Sequence, residues 1–586
     1  MKTFLEKPYG YQILLTIIGL VFFLPFLGSV HLFDWDEINF AESSREMLVS
    51  KNFFQVQVNY EPFMEKPPLF FWLQSLSMSV FGVTEFAARF PNAIFGILTM
   101  VTLFKIGRTL RSEKFGFIWA LIYFGSFLPN LYYKSGIIDP VFNYFIFTSI
   151  YYLIRLINTD TGKEQNKYAA LSGLFVGLAI ITKGPVGLLL LILTFGIFWV
   201  LSRFKKVASV KSVLIFIVTI FLVSFLWFGY ELLQNGPWFI VEFVKYQIDL
   251  FTTPVAGHSQ PFYYHFVVVL IGCFPLSIIA LPRFAKAKEQ DVFEFEKWMK
   301  ILFWVVLILF SISTTKIVHY SSMAYLPLSY LAATYLFKLH TREIEVKKWM
   351  LITVGFFGFV FSSLLALLPI VLLKKDEWLI PKLNDPFAAA QLSVDIPIAG
   401  WEFIIGVLYF LCIVVGLYYL SKIQVVKSVL ILSLSTAFCL LIFTRVMVPK
   451  IESFSQGPMI AFYETLKGQN VYVTPVNMKS YAQFFYTEVQ PLDDDDALAI
   501  YKKELLEEHK AESFNDLPQE EKTIFNSQVV NWLMTRDLDK PTYFVVRVHH
   551  QDKIKDKPKC EFLYKEGGFA FYQRRENSNE FIYFQF

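Results

Sequence analysis

Charge and cysteine are both in short supply in this sequence. Asp, Glu, Lys and Arg make up 17% of it, against roughly 25% in an ordinary soluble chain, and that deficit excludes a simple soluble enzyme. The 53 basic and 49 acidic residues leave a formal net charge of +4, which gives no reason to expect a nucleic-acid partner. Of the four cysteines, Cys273, Cys412 and Cys439 lie inside apolar segments and Cys560 is alone in a polar tail, so no disulfide framework is expected. There is no repeat of solenoid period, no low-complexity linker and no visible inverted symmetry of the transporter kind.

Apolar surface is what the chain has in abundance. It is 55% hydrophobic and 18% aromatic over 586 residues, with a mean hydropathy of +0.47, which places it among integral membrane proteins. Apolar windows of roughly 17 to 25 residues fall at 11–32, 90–107, 115–133, 137–157, 168–183, 185–202, 212–233, 263–282, 298–314, 318–337, 349–373, 401–420 and 428–447. That predicts a polytopic α-helical protein with about thirteen transmembrane helices. Only Lys2 and Lys7 precede the first window and no small-residue cleavage site follows it, so it reads as a retained anchor. Arg108, Arg155, Arg203, Arg283, Lys338 and Lys422, each with basic neighbours, fall on one side when the spans alternate; the positive-inside rule makes that side cytoplasmic. The N-terminus is then cytoplasmic and everything after the thirteenth span is outside.

Two domains follow. Residues 1–447 form the membrane part, including a first outer loop at 33–89. Residues 448–586 form a soluble α/β domain on the outer face, with strands expected at 471–474, 543–548 and a hairpin turning at Gly567-Gly568, around a charged helical stretch near 502–523.

The first outer loop is too long and too polar to be a plain connection. Asp36 and Glu37 fall just after the first span, where an acidic pair can hold a metal or take a proton from a nucleophile; the bland alternative is a solvated cap on the next helix. Helical spacing from Asn39 through Met47 suggests a helix along the interface that fixes the height of the pair. Glu65-Lys66-Pro67-Pro68 then starts another helix, because proline suits the first turn and holds the preceding residue extended. More charges gather at outer span ends: Lys134 and Asp139, Lys183, His258 and His265, Lys316 and His319. Each alone can simply snorkel. Lys183, in the turn "TKGP" on the side where lysine is disfavoured, points to an anionic partner such as a lipid phosphate.

The segments "DWDEINFAESSREML", "EKPPLFFWL", "FGVTEFAARFPNAIFG", "GIIDP", "ITKGP" and "TKIVHYSSMAYLPLSYLA" occur in an order that resembles the GT-C glycosyltransferases. The likeness is to bacterial lipid A aminoarabinose transferases, akin to the dolichyl-phosphate-mannose protein mannosyltransferases, and covers about 1–450. It implies a sugar carried on a polyprenyl (undecaprenyl) phosphate and used at the outer face of a bacterial inner membrane. No nucleotide cofactor is implied. The implied acceptor is lipid A, another glycan or a protein. By matching motif, Asp36 resembles the catalytic acid residue, Glu37 its neighbour and Asp139 a second outer acid. Lys66 resembles part of a charged pair beside the cavity and Lys183 a phosphate-holding lysine. Glu65 and His258 resemble positions that can share a divalent metal. The chain departs from the pattern at "KYQIDLF", where Leu250 stands at a position often held by Arg, which shifts phosphate neutralisation to Lys183, Lys245 or Lys316.

The expected chemistry is a single inverting displacement in which Asp36 accepts the acceptor's hydroxyl proton while Lys183, with Lys66 or Lys316 nearby, binds and balances the phosphate. Two other readings are a flippase or transporter, which needs polar or broken helices near the midplane, and a polymerase or ligase of lipid-linked saccharides.

Overall fold

The computed structural model describes residues 9–63, 65–205, 207–252, 260–285, 292–511 and 513–574. Its elements begin where local chemistry directs them. Thr84 and Ser112 accept hydrogen bonds from Ala87 and Phe115 backbone N–H groups and so cap the helices Glu85–Leu110 and Glu113–Phe124, satisfying donors that a helix N-terminus otherwise leaves free. Pro68 stands immediately before Leu69–Phe81, as expected. The helix Lys163–Lys183 ends at Gly184 with φ +94°, a conformation in which glycine has no Cβ penalty.

Most of the apolar windows become helices, but several are broken. The first helix, Gly10–Phe23, stops well short of residue 32 because Pro25 cannot continue it. The window 115–133 is divided by extended Ser126 into Glu113–Phe124 and Phe127–Tyr132. The window 263–282 becomes Tyr264–Gly272 and Leu276–Arg283, bent by 102° where Pro275 removes a backbone donor. Among the described residues six helices are long and apolar enough to cross a bilayer, or seven with the bent pair taken as one. Gly10–Phe23, Leu69–Phe81 and Val186–Leu201 are apolar but shorter. The chain is therefore a helical membrane protein whose thirteen expected windows do not become thirteen unbroken helices.

Two short strands, β1 (Gln57–Val58) and β2 (Glu61–Pro62), pair inside the loop at 33–89. The tail forms a four-stranded sheet from β3 (Tyr472–Val476), β4 (Thr542–Arg547), β5 (Cys560–Glu566) and β6 (Phe569–Arg574). Its spatial order is β3-β4-β6-β5, with β3 parallel to β4 and the other pairs antiparallel. Side chains of β4 alternate between two cores, as a strand buried on both faces requires. Phe544 and Val546 pack with Leu533 and Met534, whereas Tyr543 and Val545 share a core with Ile38, Ala41, Ala87 and Ala88. One face of the tail sheet is thereby packed toward the helix Asp36–Ser50.

Candidate active site

The loop between the first two helices is held by one arginine. Arg89, in the helix Glu85–Leu110, donates from Nη1 to the carbonyls of Leu27 and Val30 at 2.6 and 2.7 Å and from Nη2 to that of His31 at 2.9 Å. It also makes two 2.8 Å bonds to the Glu37 carboxylate. The backbone N–H groups of Phe33 and Gly136 donate to the same carboxylate. A buried charge pair is tolerable only when its hydrogen bonds are satisfied, and here they are. Glu37 is 3% exposed and clamps the loop, its acceptor capacity committed to Arg89, Phe33 and Gly136.

The clamp places its neighbour differently. Asp36 opens the helix Asp36–Ser50, and its side chain is 41% exposed with His319 Nε2 3.3 Å from Oδ2. Burial by the surrounding protein would raise its pKa. The His319 hydrogen bond, the His319 charge and the charges of Lys66 and Lys183 more than offset that and hold it at about 2. Asp36 is therefore partly exposed and stays ionised.

His319 joins Asp36 to the next pair, since its Nε2 is also 3.8 Å from Asp139 Oδ2. Asp139 starts the helix Asp139–Ile157 and binds Lys183 Nζ through Oδ1 at 2.5 Å. Lys183 lies 4.9 Å from the Tyr320 ring centre. Lys66 has Glu65 at 3.6 Å and the Tyr246 ring at 5.5 Å, with the Tyr246 hydroxyl within electrostatic reach of Glu65. The structure thus brings together Asp36, Asp139, Lys183, Lys66 and Glu65 from four chain segments. Lys316 is buried and donates to the Ser313 carbonyl, beside His265, whose ring nitrogens have no partner. Lys245 is an exposed residue paired with Glu242.

His258 lies outside the described residues. Among those residues, no group of three His, Cys, Asp or Glu side chains suited to a metal occurs, and Glu65 is paired with Lys66. The residues described do not by themselves fit a metal, and no step below runs through one.

Arg89, His319, Tyr246 and Tyr320 were not assigned roles by sequence reasoning. An arginine in a largely apolar helix signals a buried partner, but not which one. His319 was visible as an outer charge, whereas nothing in the sequence marks Tyr246.

A family model of dolichyl-phosphate-mannose-protein mannosyltransferases matches residues 65–228. The chain is 29% identical over 350 residues to an uncharacterised Aquifex aeolicus protein, covering 59% of this chain and 78% of that one. It is 26% identical over 349 residues to the undecaprenyl phosphate-alpha-4-amino-4-deoxy-L-arabinose arabinosyl transferase 1 of Proteus mirabilis, covering 59% and 62%. The match thus spans less than two thirds of that transferase. The crystal structure of ArnT from Cupriavidus metallidurans bound to undecaprenyl phosphate superposes with a TM-score of 0.72 at 18% identity, over 97% of this chain and 98% of that one. The chain shares the fold of that structure. In that fold the side chains gathered around Asp36 come from the loop at 33–89, from the start of the helix Asp139–Ile157 and from the end of the helix before Gly184.

Proposed function

We propose that the protein is a membrane glycosyltransferase that moves a sugar from a polyprenyl phosphate to an acceptor hydroxyl at the outer face, with the N-terminus cytoplasmic and the tail sheet outside. The observation that carries this reading is one ionised and partly exposed carboxylate, Asp36, gathered with Lys66, Lys183 and the His319–Asp139 pair. The similarity to enzymes named for undecaprenyl-phosphate sugars supports the donor class.

A polyprenyl phosphate already leaves readily, so the protein must orient the acceptor and balance charge as the anomeric bond breaks. Asp36 accepts a hydrogen bond from the acceptor hydroxyl. With a pKa of about 2 it is a weak base toward a free alcohol, so the proton moves late, after bond formation to the anomeric carbon has acidified the hydroxyl. The departing phosphate gains charge as this occurs. Lys183 meets it while keeping Asp139 on its other side, and the charge of Lys66 acts on the same carboxylate, Asp36. Attack from the face opposite the phosphate inverts the anomeric centre.

A flippase needs polar groups along a midplane path. The bent helix pair is the feature nearest to that description, but its elbow is made of buried Cys273 and Phe274 with Pro275.

The test is a purified preparation in nanodiscs given a panel of polyprenyl-phosphate monosaccharides and candidate acceptors, with release of free polyprenyl phosphate followed. Release by wild type that Asp36→Asn lowers at least about a hundredfold supports the assignment. Near-normal release by Asp36→Asn removes Asp36 from the role. Passage of an intact lipid-linked sugar across liposomes, with no donor consumed, replaces the enzyme reading by the flippase.

A further inference from the structure

A histidine ties the tail to the loop that leads into Asp36. His31 lies beyond the end of the first helix, Gly10–Phe23, and its carbonyl is one of the three that Arg89 holds. Its backbone N–H donates to both oxygens of Glu452, at 3.2 and 3.3 Å, and its ring Nδ1 is 2.9 Å from Glu452 Oε1. The other ring nitrogen, Nε2, is 3.5 Å from Glu464 Oε1. Glu452 belongs to the helix Val448–Phe454 and Glu464 to the helix Gly457–Thr465. One imidazole thus stands between two carboxylates that come from the first two helices of the tail.

An imidazole donates from both nitrogens only when it is protonated, and in that form it serves Glu452 and Glu464 together. Without the proton, an Nδ1–H kept for Glu452 leaves a lone pair on Nε2 turned toward the Glu464 carboxylate. The other groups around the ring do not relieve that contact. Glu85 adds a third negative charge within electrostatic reach, Arg89 is committed to Glu37, and Lys467 pairs with Glu488 at 3.0 Å. The Tyr486 ring meets the imidazole edge-on at 5.3 Å, and its hydroxyl accepts the Leu32 backbone N–H at 2.7 Å. Burial lowers the His31 pKa, but the Glu452 hydrogen bond and the charges of Glu452, Glu464 and Glu85 outweigh it and raise the pKa above its ordinary value.

The two carboxylates are not equivalent. The Glu452 side chain is 9% exposed, whereas that of Glu464 is 48% exposed and borders a cavity of about 120 Å³ that Glu85 and Tyr486 also line. Glu464 sits near the end of a helix that joins tail and loop: its Ile460 and Tyr463 share one core with Ile38 and Ala41 of the helix Asp36–Ser50 and with Tyr543 and Val545 of the tail sheet. We propose that His31 is a pH-dependent latch: with its proton it draws the helix Gly457–Thr465 onto the loop that Arg89 holds, and on losing that proton it releases the helix at Glu464. A histidine whose pKa rises on folding stabilises the docked state fully below its ordinary 6.5 and loses that contribution as pH rises through the folded value. Docking is therefore tightest in mildly acidic solution and loosens in mildly alkaline solution. The proposal goes beyond the transferase reading and does not need it, because docking is measured with no donor present.

The test is backbone hydrogen exchange of the full-length protein in nanodiscs at about pH 6 and about pH 8.5, either side of the histidine range, followed over residues 457–466 and corrected for the intrinsic rate. In the wild type the open form of this helix should be at least about threefold more populated at the higher pH. His31→Asn keeps an amide donor for Glu452 and has no proton to lose, so it should open equally at both pH values, at the alkaline level of the wild type. Glu464→Gln, a change at a half-exposed position that leaves His31 in place, should lower the wild-type ratio. Exchange in the helix Ile404–Ser421 should be the same at both pH values in all three proteins. A wild type without pH dependence over 457–466 overturns the latch, and so does a ratio that survives undiminished in either variant. A pH dependence shared by the helix Ile404–Ser421 is general loosening and overturns it as well.

Discussion

Glu37 gives both carboxylate oxygens to Arg89, Phe33 and Gly136 at 3% exposure, whereas Asp36, the residue before it, keeps a side chain 41% open and has His319 at 3.3 Å. The two carboxylates share a helix start and the same stretch of loop. The difference is the number of protein donors each one meets. A carboxylate whose acceptor sites are filled by the protein has none to offer a substrate, and its rigidity is what holds the next residue in place. The region around Arg89 is a frame, and the region around Asp36 is the space that it encloses.

The largest test of this comparison removes the frame. Arg89→Ala strands a buried carboxylate and takes the donor from three carbonyls, which should cost about 3–5 kcal/mol of stability. Thermal unfolding in detergent measures it, and an unchanged melting temperature would show that the clamp is not structural.

Next in size is the contrast between the neighbours themselves. Asp36→Asn should reduce transfer by at least about a hundredfold, about 2.7 kcal/mol in the barrier, with a wild-type melting curve. Glu37→Gln should lower the melting temperature, and its loss of rate should track its loss of folded protein. If Asp36→Asn is the less stable of the two, frame and space have been assigned the wrong way round.

A smaller effect is expected at the second pair. Lys183→Met should weaken donor affinity by about tenfold to a hundredfold, the worth of a hydrogen bond to a charged group. Asp139→Asn, which releases Lys183 from its 2.5 Å partner, should leave donor affinity the same or tighter. Equal loss in both variants would mean that the pair only holds the helices Asp139–Ile157 and Lys163–Lys183 together. Half-saturating donor concentration, measured with each variant at fixed acceptor, separates the outcomes.

The space was more legible in the sequence than the frame. Asp36, Glu65, Lys66, Asp139 and Lys183 are polar groups set in or beside apolar helices, and such residues stand out in a chain with only 17% charged residues. Helix starts at Pro68 and strand positions in the tail were readable for a similar reason, because proline and Gly-Gly act locally. What escaped depends on pairing across distance. Arg89 and Glu37 are 52 residues apart, and nothing near either names the other. Tyr481 meets Trp35 only because the tail sheet buries one face against the helix Asp36–Ser50, a tertiary choice that no local pattern encodes. The breaks at Ser126 and Pro275 were missed for the opposite reason, since hydropathy averaged over a window hides a single residue that interrupts a helix.

The smallest effect probes how tightly frame and space are coupled. A Cβ placed on Gly136 would lie 3.1 Å from Glu37 Cγ and 3.3 Å from its Oε1, and the same residue's N–H donates to that oxygen at 2.5 Å. Gly136→Ala therefore presses on the clamp from the side opposite Arg89, and Glu37 must give by a few tenths of an ångström. Mild overpacking of this kind should cost about 1 kcal/mol. Because Asp36 is bonded directly to Glu37, the displacement also reaches the recess, and transfer should fall by about threefold at unchanged donor affinity, as a small misplacement of a positioned group does. A rate loss as deep as that of Asp36→Asn would show that Gly136 borders the substrate itself. No loss of rate with the full loss of stability would show that the helix start absorbs the strain before it reaches Asp36, and that the frame has more play than its hydrogen bonds suggest.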